Sequence, residues 1–139
     1  MEITYTDSLT VEEYNELHAA VGWEVCEPAR VRMALARTDC LVAARDGERA
    51  IGMARVMHDG LQAIVMDVMV CPAYQKRGIG AAIMERVMCF LDELAEDGAI
   101  FVSLIAETGQ DGFYARFGFR RHPNADCGPG MTRFLVKKA

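Results

Sequence analysis

The run Gln75-Lys76-Arg77-Gly78-Ile79-Gly80-Ala81 sets two cations and two glycines directly ahead of a long apolar-periodic stretch. Ile83, Met84, Val87, Met88, Leu91 and Leu94 recur at helical spacing, so the run reads as a loop opening a helix over residues 81–94. The first N–H groups of a helix have no intrahelical partner, and the helix dipole adds partial positive charge there. Gly78 and Gly80 carry no Cβ, so an anion can approach the backbone closely, and Lys76 and Arg77 supply full charges. The chemistry of such a cradle is pyrophosphate binding. No Gly-Lys-Ser/Thr closes the loop and no Gly-x-Gly-x-x-Gly spacing occurs, so it is neither a P-loop nor the dinucleotide fingerprint.

Other residue types here can also do chemistry. Asp67 is a lone carboxylate in the apolar stretch 62–70. Strict strand alternation puts Ile64, Met66, Val68 and Val70 on one face and Val65, Asp67 and Met69 on the other. Asp67 then has two readings, a general base or a hydrogen-bond anchor at a strand bulge. Trp23, the only tryptophan, stands beside Glu24 at a helix break. It is either an apolar wall for an amine whose charge Glu24 or Glu27 attracts, or a cover for the sheet edge. Arg55 reads as a surface ion pair, and His58 and His122 lie in turns as solvated side chains. The five cysteines include no Cys-x-x-Cys pair, which argues against a disulfide framework and a zinc site. Cys40, Cys71 and Cys89 sit in apolar runs and are expected as buried hydrophobes.

The elements that must position these groups follow from pattern. A strand is expected over residues 3–6, then a helix from the capping-box residues Thr10 and Glu13 to about Ala20. A second helix opens at Pro28 and runs to about Arg37, with Val31, Leu35 and Met33 inward. Strands over 41–45 and 50–57 meet at the hairpin signal Asp46-Gly47, with Gly52 marking a bulge. A third strand covers 62–70, ahead of the loop and long helix. The run 99–105 is nearly all apolar and reads as a buried central strand. A short helix over 110–117 ends at Gly118, and strands open at 119–121 and 131–137. The result is one α+β domain over residues 1–139 around a mixed sheet.

Two segments resemble a known family. Gln75-Lys76-Arg77-Gly78-Ile79-Gly80, after a strand ending Val70-Cys71-Pro72, resembles the acetyl-CoA loop of the GNAT N-acetyltransferases. Gly112-Phe113-Tyr114-Ala115-Arg116-Phe117-Gly118-Phe119 resembles that family's Phe-Tyr-x-x-x-Gly-Phe segment, in the right order downstream. The resemblance implies a central, mostly antiparallel mixed sheet of six to seven strands flanked by about four helices. It also implies acetyl-CoA as cosubstrate, held by Gln75, Lys76, Arg77, Gly78, Ile79, Gly80 and Ala81 and by the backbone of Val68, Met69 and Val70. The N–H of Val68 or Met69 would face the thioester oxygen, and Tyr114 would be the general acid. Glu107 stands where many relatives have an asparagine; it is a base or a polar strand-end residue. Met66-Asp67-Val68-Met69-Val70 is similar to a strand of the glucosamine-phosphate acetyltransferases, but Met66 replaces their glutamate, which argues against that sugar.

The implied activity is acetyl transfer to a primary amine of a small molecule, by direct attack in a ternary complex. A non-catalytic acyl-CoA-binding sensor on the same fold is the alternative. The net charge of −5 argues against a broad nucleic-acid surface. No apolar run reaches membrane-spanning length, residues 1–5 lack signal-peptide organisation, and a reducing cytoplasm is expected. The resemblance also implies a homodimer, with Met131, Phe134, Leu135 and Val136 either pairing across an interface or finishing the monomer's sheet.

Overall fold

A computed structural model describes residues 2–137 of the 139. Among them the order is β1 (Ile3–Thr6), α1 (Val11–Ala20), α2 (Pro28–Ala36), β2 (Cys40–Asp46), β3 (Arg49–His58), β4 (Gln62–Val70), α3 (Ile79–Leu94), β5 (Phe101–Ser103) and α4 (Asp111–Ala115). Two compact units divide between Ile105 and Ala106.

The first unit is a five-stranded sheet in the order β1-β2-β3-β4-β5, antiparallel except for the parallel β4–β5 pair. Local signals set its helix starts. Thr10 accepts from the Glu13 N–H at 3.1 Å and Glu13 accepts from the Thr10 N–H at 2.9 Å, satisfying two donors that a helix start leaves open. Glu13 is also gripped by Arg45 of β2, at 2.6 and 3.1 Å. The Arg45 guanidinium donates further to Thr6 Oγ1 and to the carbonyls of Ser8 and Glu48, so all five of its N–H groups are used. That bond to Arg45 holds the Glu13 carboxyl below its usual range. Arg45→Met should therefore cost about 2–3 kcal/mol, read as a lower urea midpoint, because it strips the α1 entry from the sheet and leaves acceptors unmatched.

Helix α3 buries Ile79, Ile83, Met84, Val87 and Leu91 and turns Glu85, Arg86, Asp92 and Glu93 outward. Its apolar stripe lies on the sheet because Gly52 of β3 has no side chain: a Cβ there would stand 3.0 Å from the Met69 carbonyl oxygen and 3.2 Å from Ile83 Cδ1. The β2–β3 register slips beside this glycine, where Ala44 pairs with Gly52 and Arg45 with Ala50. The helix begins at Ile79, two residues before the expected start, because Gly78 at φ +80° supplies its N-cap.

Several expectations need correction. Residues 99–105 are not a buried central strand: only Phe101–Ser103 is extended, it borders the sheet, and Phe101 and Ile105 are exposed. An apolar run reports a central strand only where strands flank it on both sides, and among the described residues β5 pairs with β4 alone. Cys89 and Met33 are exposed, lying on the outer faces of α3 and α2. Five strands form instead of six to seven, since no ladder includes 119–121 or 131–137 among the described residues. A strand is stabilised by its pairing, and without it the apolar side chains Met131, Phe134, Leu135 and Val136 stay exposed.

The second unit opens with α4 and ends it in a six-to-one turn. The Phe119 N–H donates to the Tyr114 carbonyl and the Gly118 N–H to that of Ala115, with Gly118 at φ +90°. Beyond it, Asn124 organises a polar turn by accepting from the N–H groups of Asp126 and Cys127.

Candidate active site

The loop between β4 and α3 is shaped by its own side chains. After a short turn at Pro72–Tyr74, Gln75 donates from Nε2 to the Val70 carbonyl at 2.9 Å and folds the chain back. Lys76 and Gly78 both adopt left-handed backbone, at φ +63° and +80°. For lysine this is uncommon, and such reversals turn successive N–H groups toward one concave side. The first bond of α3 runs from the Ala82 N–H to the Gly78 carbonyl at 3.0 Å. The N–H groups of Ile79, Gly80 and Ala81 are therefore free of intrahelical acceptors and point out of the helix start. Tyr74 steadies the loop from below: its hydroxyl donates to Asp46 Oδ2 at 2.6 Å, and the Arg77 guanidinium lies 5.5 Å from its ring centre. Ile79 is buried, so it contributes backbone rather than side chain.

The strand feeding the loop has an open edge. β5 pairs with β4 only over Gln62–Phe101, Ala63–Val102 and Ile64–Ser103, so among the described residues β4 runs on to Val70 with β3 on one side and no strand on the other. The Cys71 N–H donates to the Ile51 carbonyl at 2.8 Å, which faces Cys71 toward β3. Strand alternation then turns the main-chain groups of Val70 and Val68 to the open side. The Val70 carbonyl is used there by Gln75.

A bulge interrupts β4 beside this edge. Met53 pairs with Met69 and Arg55 with Met66, so two steps on β3 match three on β4. Asp67 takes up the extra residue at φ +54°. The simple alternation expected for 62–70 therefore fails: Ile64, Met66 and Met69, opposite Met57, Arg55 and Met53, share one face despite their odd spacing. That face looks toward α1, and Gly52 and Val70 mark the face under α3.

The bulge aims the Asp67 carboxylate at a buried polar cluster. It accepts from Tyr14 Oη at 2.7 Å and Arg55 Nε at 2.6 Å on one oxygen, and His18 Nε2 lies 3.3 Å from the other. The other His18 nitrogen, Nδ1, lies 2.8 Å from the Tyr14 carbonyl oxygen. Burial pushes the Asp67 carboxyl up, but the bonds from His18, Arg55 and Tyr14 outweigh it and hold it at about 2. Burial, then the bond to Asp67, pushes the Tyr14 phenol far above its usual range. Arg55, expected as a surface ion pair, is 12 % exposed and closes this cluster. Trp23 packs edge-on against His18, with ring centres 5.5 Å apart, so it joins the aromatic stack over Asp67; Glu24 is exposed. Tyr14 and His18 did not stand out in the sequence. Their i, i+4 spacing on the inner face of α1, both polar among Leu17 and Val11, is the signal that marks them.

In the second unit Tyr114 is buried on α4, between the rings of Phe113 and Phe119. Burial first, and the Glu107 charge second, push its phenol up to about 12. Glu107 is exposed just ahead of α4 and accepts the Gln110 N–H on its carbonyl.

Comparison with known proteins agrees with this architecture. A family model described as an acetyltransferase (GNAT) domain matches residues 36–121. GCN5-related N-acetyltransferase 1, chloroplastic, of Arabidopsis thaliana is 34% identical over 131 residues, covering 92% of this chain and 65% of that protein. Serotonin N-acetyltransferase 2, chloroplastic, of Oryza sativa subsp. japonica is 34% identical over 130 residues, covering 90% and 64%. The chain thus spans a little under two thirds of the length of these curated relatives. A crystal structure of a probable acetyltransferase from meticillin-resistant Staphylococcus aureus superposes with a TM-score of 0.84 at 28% identity, covering 96% of this chain and all of that one. With the family model spanning more than half of its residues, the chain belongs to the GNAT acetyltransferase family.

Proposed function

We propose that the protein is an acetyl-CoA-dependent N-acetyltransferase that acetylates a primary amine of a small molecule by direct attack in a ternary complex. The observation that carries this reading is the unpaired edge of β4 running straight into an anion cradle. A pantetheine arm is a chain of amides and needs a strand edge to bond; the pyrophosphate behind it needs donors at a helix start. Both lie on one continuous stretch, residues 65–81. The cosubstrate supplies an activated acetyl group as a thioester.

The chain's own residues then have separable tasks. Lys76, Arg77 and the N–H groups at Gly78, Ile79, Gly80 and Ala81 hold the pyrophosphate, and Gln75 keeps the loop in shape. The Val68 N–H, turned to the open edge, donates to the thioester carbonyl oxygen as it gains charge. The amine nitrogen bonds to the carbonyl carbon, the carbon–sulfur bond breaks, and one amine proton is lost while the thiolate gains one. Tyr114 is the donor at that sulfur: its phenol, near 12, stays protonated at neutral pH and can hydrogen-bond or protonate the thiolate as it leaves. Asp67 serves as the anchor that shapes the bulge, since Tyr14 Oη and Arg55 Nε already donate to one of its oxygens and His18 Nε2 stands 3.3 Å from the other. Glu107, exposed ahead of α4, receives the amine proton, directly or through water.

Tyr114→Phe tests the assignment. It should lower kcat about 100-fold while the acetyl-CoA Kd measured by calorimetry stays unchanged. An unchanged kcat removes Tyr114 from proton transfer, whereas acetyl-CoA binding without turnover in the native protein favours a binding module over an enzyme.

A further inference from the structure

Among the described residues, Asp67 and Lys76 alone hold left-handed backbone without being glycine, and both lie in the stretch that would take the cosubstrate. At Lys76 the reversal shapes the anion loop. At Asp67 it turns the peptide between Asp67 and Val68, and so sets the direction of the Val68 N–H. Such backbone is costly for a residue with a Cβ and persists only where its surroundings over-determine it. Two elements supply those surroundings. Arg55 of β3 donates from Nε to Asp67 Oδ2 at 2.6 Å and from Nη1 to Thr38 Oγ1 at 3.4 Å. Helix α1 brings Tyr14 Oη, which donates to the same Oδ2 at 2.7 Å, and His18 Nε2, 3.3 Å from Oδ1. The imidazole is itself fixed. Its Nδ1 lies 2.8 Å from the Tyr14 carbonyl oxygen, its ring stacks on that of Tyr14 with centres 4.0 Å apart, and Trp23 packs edge-on at 5.5 Å.

We propose that Tyr14 and His18 are positioning residues: acting through Asp67, they fix the Val68 N–H on the thioester carbonyl oxygen, so that helix α1 governs how strongly the reacting carbonyl is polarised. The inference rests on the acetyltransferase reading and adds to it the side chains that hold the donor. Tyr14 and His18 are both buried, and apolar residues of like volume would cover the sheet as well, because a buried ionic cluster is weak evidence for stability. What the cluster adds is a fixed direction. A donor that stabilises developing charge must already point at the oxygen before the reaction. A hydrogen bond also weakens steeply once its angle falls below about 120°, so a peptide free to turn at residue 67 loses the oxygen without leaving the strand.

The thioester carbonyl itself reports on this role, with no acceptor needed. Acetyl-CoA isotope-labelled at the thioester carbonyl carbon is bound to the protein, its carbonyl stretch is recorded by isotope-edited infrared difference spectroscopy, and its Kd is taken by calorimetry. In the native complex the stretch should lie below that of free labelled acetyl-CoA, because a donor on the oxygen weakens the double bond. Tyr14→Phe removes only the hydroxyl on Asp67 and should move the stretch back toward the free value, while the Kd changes by less than about tenfold. His18→Leu should do the same; if it fails to fold, Tyr14→Phe, which keeps the ring, decides alone. A stretch unshifted in the native complex, or shifted as far in Tyr14→Phe as in the native protein, would overturn the inference and leave the cosubstrate site standing. A larger loss of affinity in folded Tyr14→Phe would overturn it too, since the cluster would then support the whole site rather than one donor. Absence of acetyl-CoA binding to the native protein would instead remove the acetyltransferase reading, and the positioning role with it.

Discussion

Asp67→Ala is expected to cost about 3–5 kcal/mol of stability. The side chains of Asp67, Arg55 and His18 are 16%, 12% and 6% exposed. Removing the carboxylate leaves a guanidinium buried without its counter-charge and withdraws the acceptor of the Tyr14 hydroxyl. The left-handed backbone at residue 67 adds to the loss, because aspartate tolerates that region better than alanine does. Asp67→Asn keeps the shape and should lose less. The pH dependence has a definite sign. The folded carboxyl titrates near 2 against an ordinary 3.8, so its contribution, of order 2 kcal/mol, is fully present above about pH 4 and fades as the pH falls toward 2. Urea unfolding across that range should show the decline in the native protein and little of it in Asp67→Asn. A flat native profile would mean that the cluster is not an ionised anchor.

Gly80→Glu is expected to weaken acetyl-CoA binding more than 100-fold, which is about 3 kcal/mol, without loss of fold. Gly80 is the second residue of α3. A glutamate there faces the position reserved for the pyrophosphate and opposes it by bulk and charge. The same carboxylate in the first turn of a helix complements the dipole, worth about 0.3–1 kcal/mol, and replacing glycine inside a helix gains a similar amount. Stability and affinity should thus move in opposite directions, an outcome general damage to the protein does not produce. A variant that binds acetyl-CoA normally would separate the loop from the phosphate role.

What the sequence discloses here follows the range of the interaction. The Thr10–Glu13 box, the Gln75 bond that shapes the loop, the glycine-headed α3 and the Gly118 turn after α4 all form between residues close in the chain, so their residue types announce them. The bulge at Asp67 is a property of the β3–β4 pairing, and alternation along β4 alone assigns faces wrongly beyond it. Tyr14 and His18 reach Asp67 across 53 and 49 residues, and only the packed structure shows them as one cluster. The same limit explains 99–105 and 131–137, whose apolar content is plain but whose burial depends on which strands lie beside them.

The central claim is that β4 and its loop form an acyl-CoA site. Calorimetric titration of the purified native protein with acetyl-CoA, alongside Gly80→Glu, tests it most directly. The account predicts one site per chain with affinity in the micromolar range or tighter, about −8 kcal/mol, abolished in the variant. A folded native protein that releases no heat with acetyl-CoA and gains no thermal stability from it would contradict the claim and leave the family likeness as one of architecture alone.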